Sequence, residues 1–151
     1  MGFLHQEKSM KLQKLIGAGY VPEGEVIELS DELMWVDEFS WSRVASNDTE
    51  YTIAGALIVE QSEKLAGRPI TLERPDDKTG WAKRGTIKTL HEWANLKGQR
   101  FRLTFERGGI RNFNVIFKAS QPLKSEPVKG FVGRNTDDEI WFCNLYFIEV
   151  D

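Results

Sequence analysis

The sequence predicts a mainly β protein, an antiparallel β-sandwich or split barrel with one packed amphipathic α-helix. Short segments with alternating apolar residues recur from residue 25 to the end of the chain. Helical spacing of apolar residues is clear in one place, after Thr86. A parallel α/β sheet would need a helix between successive strands, and the sequence offers only this one.

The first 24 residues are predicted to form a separate N-terminal arm, followed by a single β-rich domain at 25–151. Leu12, Leu15 and Ile16 have the spacing of a short apolar helical stripe, which the glycines after it end. A helix this short is marginal in water, so we expect the arm to fray or to dock on another surface.

Four strands are predicted before the helix, at residues 25–29, 31–41, 51–60 and 69–72. Asp37 interrupts the apolar face of the second, where the strand is expected to twist out of the core. Gly55 lies in the middle of the third between two alanines, so another backbone or a bulky ring is expected to approach there.

The helix is predicted to begin at Thr86 as the N-cap and to stop at Gly98. Two alternating segments at 101–105 and 112–117, joined by a turn containing a Gly-Gly pair, predict a hairpin. A long loop is expected at 121–138.

The last predicted strand, at 140–150, is apolar on both faces, because side chains alternate across a strand. One face carries Trp141, Cys143, Leu145 and Phe147. The other carries Ile140, Phe142, Tyr146, Ile148 and Val150. A half-buried strand in a small domain normally has one polar face, so we expect either the chain's own helix or another protein to cover the second.

Composition narrows the possible partners. The chain has 151 residues with 40% hydrophobic and 28% charged residues, values typical of one globular domain. A net charge of −3 argues against nucleic acid, which requires a basic surface. No apolar stretch has the length of a membrane helix or of a signal-peptide core, so synthesis in a cytoplasm is expected. The lone Cys143 is expected in the core.

The sequence contains few residues in arrangements that catalyse a reaction. The two histidines, His5 and His91, have no partners at metal-ligand spacing, so no metal or cofactor is expected. Phosphate-binding and dinucleotide motifs are absent. The many carboxylates leave a small hydrolase with paired acids as a minor alternative. We therefore predict that the protein is not an enzyme.

Tryptophans near predicted strand ends suggest two kinds of binding. Trp35, Trp41 and Trp81 suit the aromatic anchors of a protein interface, although core placement is also consistent with each. The same side chains would stack on sugars in a carbohydrate-binding module.

The stretch 51–117 resembles a known group of proteins. The residues that carry the resemblance are Tyr51-Thr52-Ile53-Ala54-Gly55-Ala56-Leu57-Ile58-Val59, Ala66-Gly67-Arg68-Pro69-Ile70-Thr71-Leu72, Trp81 and the hairpin ending at Phe117, with Leu33 to Phe39 before them. They are similar to small structural proteins from the tail modules of tailed bacteriophages and prophages, in the baseplate or tail tip.

The resemblance implies a virion structural protein that links the tail tube or hub to neighbouring baseplate subunits, in a ring or another multi-copy assembly. It implies no active site, and apolar surfaces would be interfaces. The residues expected at contacts are Trp41, Arg68 and Trp81 together with the arm residues Leu12, Leu15 and Ile16. The alternative is a carbohydrate-binding module that uses exposed tryptophans.

Overall fold

The computed structural model describes residues 10–46, 50–76, 78–128 and 136–150. The predicted fold class is confirmed, since one large antiparallel sheet with a single packed helix dominates the described chain. The elements in chain order are β1 (Met10–Ile16), β2 (Val21–Leu29), β3 (Met34–Trp35), β4 (Val44–Ser46), β5 (Glu50–Tyr51), β6 (Leu57–Ile58), β7 (Gln61–Glu63), β8 (Pro69–Glu73), β9 (Trp81–Lys83), α1 (Arg84–Ala94), β10 (Arg100–Phe105), β11 (Arg111–Phe117), β12 (Leu123–Pro127) and β13 (Ile140–Glu149).

The main sheet has nine strands, and its central path runs β2-β1-β10-β11-β13-β8-β3. The long strand β13 organises one half of it. One edge of β13 pairs with β12 and then with β11, and the other pairs with β9 and then with β8. Leu145, for example, lies between Leu123 on one side and Leu72 on the other. A ten-residue strand is long enough to hold two short strands end to end on each edge.

Helix α1 packs its apolar side against the inner face of the sheet. The side chains of Ile87, Leu90 and Trp93 are buried, as their helical spacing predicts. Trp93 stacks on Phe101 of β10 with ring centroids 5.4 Å apart. The helix and the inner faces of β1, β2, β8, β10, β11 and β13 share one hydrophobic core.

The second face of β13 is covered in part by the chain's own side chains. Cys143, Leu145 and Phe147 face the core. On the other face, Phe142 is only 7% exposed, and the guanidinium carbon of Arg74 lies 3.5 Å from the centroid of its ring. The two-sided strand therefore does not by itself require a partner protein at Phe142.

The predicted separation of the N-terminal segment is wrong for residues 10–24. Strand β1 lies inside the main sheet between β10 and β2. Leu12 is 0% and Leu15 is 4% exposed, so both belong to the chain's own core. The register with β2 shifts between Gln13 and Lys14, where β2 carries two extra residues, Gly24 and Glu25. The pairing with β10 is continuous from Met10 to Leu15, so Leu12 and Leu15 are buried on opposite faces of β1, and this two-sided burial explains their helix-like spacing. Residues 1–9 of the predicted arm lie outside the described residues.

Two of the predicted strands are largely turns. In the segment 31–41 only Met34–Trp35 is a strand, because Asp37 is held by β8. The Asp37 carboxylate accepts hydrogen bonds from the Thr71 backbone N–H at 3.0 Å and from the Thr71 hydroxyl at 2.7 Å. The segment 51–60 is a hairpin rather than one strand, since it reverses at Gly55, whose φ is +90°.

Other elements differ in smaller ways from the prediction. The β10–β11 hairpin is as predicted. Helix α1 begins two residues before Thr86, and the backbone oxygens of Asp137 and Glu139 accept hydrogen bonds from the N–H groups of Gly85 and Arg84. These contacts replace a side-chain cap. The predicted loop at 121–138 contains β12, which its polar sequence did not indicate.

Candidate protein-interaction surface

A second, smaller β unit in the described chain is almost entirely exposed. Strand β4 pairs with β7, and β5 pairs with β6, in two antiparallel ladders that are separate from the main sheet. We refer to residues 44–63, without 47–49, as the projecting hairpin. Its four strands have two or three residues each, and its ends connect to the main sheet through β3 and β8.

The tip of the projecting hairpin is built by Thr52 and Gly55. The Thr52 hydroxyl accepts a hydrogen bond from the Ala56 N–H at 3.0 Å, and the Thr52 N–H donates to the Ala56 carbonyl at 2.7 Å. The Gly55 N–H donates to the Thr52 carbonyl at 2.9 Å. Gly55 has positive φ, which a residue with a side chain rarely adopts, so glycine permits the reversal here.

The projecting hairpin carries large apolar side chains that are exposed to solvent. Tyr51, Ile53, Leu57 and Val59 are each more than half exposed, and we refer to these four as the apolar patch. Tyr51 and Leu57 are cross-strand partners, so they lie on one face. Within 50–63, only Ile58 is even half-buried.

Trp41 lies at the base of the projecting hairpin and contacts two cations. The Lys64 ammonium is 5.2 Å and the Arg43 guanidinium carbon 5.9 Å from its ring centroid. The Lys64 N–H donates to the Arg43 carbonyl at 2.6 Å. Trp41 is half-buried, and these contacts join the segment that enters the projecting hairpin to the segment that leaves it.

Arg68 has a role inside the chain. Its guanidinium lies over Trp35 at 4.5 Å from the ring centroid and donates to the Glu38 carbonyl at 2.8 Å. The Trp35 ring also stacks on Phe105, with centroids 5.5 Å apart, and meets Phe113 edge to face at 5.3 Å. This cluster fixes the segment before the hairpin to the main sheet.

The structure does not gather the predicted contact residues into one surface. Leu12 and Leu15 are core residues, whereas Ile16, at the end of β1, is 41% exposed. Trp81 is 42% exposed on β9, where it is the cross-strand partner of Phe142. Of the predicted residues, Trp41 and Arg68 lie near the segments that carry the projecting hairpin.

Sequence reasoning missed the apolar patch as a surface. The sequence predicts one strand over 51–60, in which Tyr51, Ile53, Leu57 and Val59 would share a face. The signal that could have revealed the hairpin is Gly55 in the middle of an alternating segment, preceded by the turn-forming Thr52. Alternation alone does not distinguish a strand from a hairpin whose two arms share the same pattern.

The titratable groups of the core do not suggest chemistry. Burial raises the pKa of the Cys143 thiol to about 12, so it is protonated at neutral pH and unsuited to nucleophilic attack. The pKa of Tyr146 is also raised, first by burial and then by the charge of Glu73. Among the residues that the structure describes, no three His, Cys, Asp or Glu side chains are grouped as metal ligands would be.

Comparison with known proteins adds no relative. No protein-family model, no curated protein and no solved structure matches this chain. In the described part of the chain, no helix has both the length and the apolar character needed to span a membrane.

Proposed function

We propose that this protein is a structural component that works by packing against other protein chains, and that it performs no catalysis. The observation that carries the proposal is the apolar patch on the projecting hairpin. A two-stranded hairpin is marginally stable in water by itself. Large side chains such as Ile53 and Tyr51 on such a hairpin gain stability when a partner surface removes them from water.

The hairpin is attached in a way that suits this role. The contacts of Trp41 fix the base of the hairpin. The contact between Trp35, which precedes the hairpin, and Arg68, which follows it, fixes both flanking segments to the main sheet. The tip is therefore presented at a defined place on the main sheet, and less conformational entropy is lost on docking. Mechanistically, the main sheet is the scaffold and the apolar patch is the contact.

The resemblance to tail-module proteins suggests the assembly in which this chain works. We propose that the chain is a virion protein of a phage baseplate or tail tip and that it links the tube or hub to neighbouring subunits in a multi-copy assembly. The most similar segment, residues 66–72, has a structural position that fits a scaffold. The Gly67 N–H donates to the Glu149 carbonyl, and the Glu149 N–H donates to the Arg68 carbonyl.

The experiment that tests the virion assignment is quantitative mass spectrometry of purified tail particles from the source phage or an induced lysogen. A fixed stoichiometry of this chain to the tube and hub proteins is the expected result. Absence from intact particles, with abundant protein in the lysate, would overturn the virion assignment.

The contact itself is tested by a variant with a matched control. Ile53→Asp places a charge in the apolar patch, and Ile110→Asp makes the same change at an exposed isoleucine next to the β10–β11 turn. Both variants are expected to fold, because neither side chain is in the core. Only Ile53→Asp should lose incorporation into particles. Equal incorporation of both variants would contradict the role of the patch.

A further inference from the structure

A groove runs along the free edge of β2, far in the chain from the projecting hairpin. Two adjoining cavities of about 720 and 370 Å³ form it, and they share Glu28 and Thr86 in their linings. Residues 25–31 form one wall. The other wall is formed by residues 80–83 of β9 and the turn before it, and by the first turns of α1.

The β2 wall is an unpaired sheet edge. Within the described residues β2 pairs with β1 alone, and β9 pairs with β13 alone. The floor between the two strands is apolar and includes core side chains of Leu33, Leu90 and Leu145. A groove with a strand edge on one side and an apolar floor is the geometry that accepts an added β-strand.

The first half of the β2 edge is protected against strand addition and the second half is not. Pro22 lacks an N–H, and Gly24 has a φ of +85° at the bulge opposite Gln13. From residue 25 to 31 there is no proline, glycine or lysine to blunt the edge. This is the same stretch that lines the groove.

The groove has an excess of negative charge. The charged residues between Val21 and Leu33 are all acidic: Glu23, Glu25, Glu28, Asp31 and Glu32. Asp31 is paired with Arg107, and the Glu32 carboxylate accepts a hydrogen bond from the Gly80 N–H. Glu25 is exposed, and none of the ion pairs in the described structure involves it. On the opposite wall, Lys83 and Lys88 are already paired with Asp138 and Asp137.

This charge disfavours a second copy of the chain. Two β2 edges would bring like charges together, which is destabilising. The projecting hairpin of another copy would bring Glu50, Glu60 and Glu63 to the same acidic wall. The occupant that the groove fits is therefore a cationic segment from a different protein.

We propose that the groove binds an extended segment of a partner protein with alternating basic and apolar residues, which adds a strand to the free edge of β2. The partner's apolar side chains lie on the floor beside Leu90 and Leu145. Its basic side chains lie along the wall that carries Glu25. The site is independent of the projecting hairpin, so neither proposal depends on the other.

The test uses short blocked peptides as probes of the full chain. One alternates lysine and valine, a second alternates glutamate and valine, and two more carry N-methyl groups on either the lysines or the valines. Affinity is measured by calorimetry and by the emission of Trp81, which lines the groove. The lysine peptide is expected to bind and the glutamate peptide is not. At least one N-methylated peptide should lose binding, because its N–H groups facing β2 are blocked.

Two protein variants complete the test. Glu25→Lys reverses a charge in the groove, and Glu63→Lys makes the same change on the projecting hairpin, where the side chain is also exposed. Glu25→Lys should weaken the lysine peptide several-fold, and Glu63→Lys should leave its affinity unchanged. Equal effects of both variants, or full binding of both N-methylated peptides, would mean charge attraction without strand addition and would overturn the proposal.

Discussion

The guanidinium carbon of Arg68 lies 4.5 Å from the ring centroid of Trp35, and the same ring is stacked on Phe105. This contact joins the segment that follows the projecting hairpin to strand β3, which precedes the hairpin. Arg68 also donates to the carbonyl of Glu38 in the intervening loop. One side chain therefore ties the segment 35–38, before the hairpin, to the start of β8 after it.

Arg68→Ala is expected to lower the free energy of unfolding by about 2–5 kcal/mol, the sum of a cation–π contact and a hydrogen bond from a charged donor. Arg68→Lys should recover only part of this loss, because an ammonium lacks the planar fork of the guanidinium. Urea denaturation measures both. Arg107→Ala is the control: it removes an exposed ion pair with Asp31, worth less than about 1 kcal/mol. Equal losses for Arg68 and Arg107 would contradict this role.

Strand β1 is expected to be indispensable for folding. Leu12→Ala should cost about 2–5 kcal/mol, because it leaves a cavity in a fully buried site. Ile16→Ala, at an exposed position of the same strand, should cost far less. Deletion of residues 1–20 removes the whole strand and should abolish the cooperative thermal transition seen by circular dichroism. A native-like transition after this deletion would show that β1 is not part of the core.

Cys143 is expected to make stability fall at high pH. Burial raises its pKa to about 12 in the folded chain from the ordinary thiol value of 9.0, so the folded state holds the proton more tightly than the unfolded state. The contribution is fully present below about pH 9 and is lost as pH rises toward 12. The slope is at most about 1.4 kcal/mol per pH unit for one group.

The measurement is urea denaturation between pH 8 and about 10.5 for the natural chain and for Cys143→Ala. The variant removes the thiol and retains Tyr146, whose pKa is raised in the same direction. The natural chain should lose more stability than the variant over this range. Parallel curves would mean that the thiol ionises equally in both states.

The sugar-binding alternative makes a distinct optical prediction. Trp81 is the more exposed of the two tryptophans expected at contacts, whereas Trp41 is engaged by Arg43 and Lys64. A protein that works by chain packing should show no saturable change in tryptophan emission when oligosaccharides are added. A saturable change that Trp81→Phe removes would support carbohydrate binding instead.

Much of the fold could be predicted because local patterns and packing agree there. The β10–β11 hairpin has clean alternation and a glycine-rich turn, and α1 has its buried residues at helical spacing. Strand β12 could not be predicted, since Leu123–Pro127 is largely polar and becomes a strand by pairing with β13. The candidate contact surface could be predicted only in part, because the exposure of a side chain depends on which distant segments pack against it.

The N-terminal segment shows the limit of periodicity. Leu12, Leu15 and Ile16 have helical spacing, yet β1 is a strand paired with β2 and β10, and Leu12 and Leu15 lie on its opposite faces. Backbone pairing on both edges of the strand satisfies every residue's polar groups at once, which a short isolated helix does not.

The sequence by itself determined the fold class, the amphipathic helix α1 and the two-faced C-terminal strand, because these depend on residue type and local spacing. The tertiary structure decided which apolar side chains are hidden. Phe142 is covered by Arg74, whereas Ile53 has no cover, although both lie in alternating apolar segments. Burial is a property of chain segments that meet in space, and the pairing of distant strands determines where they meet.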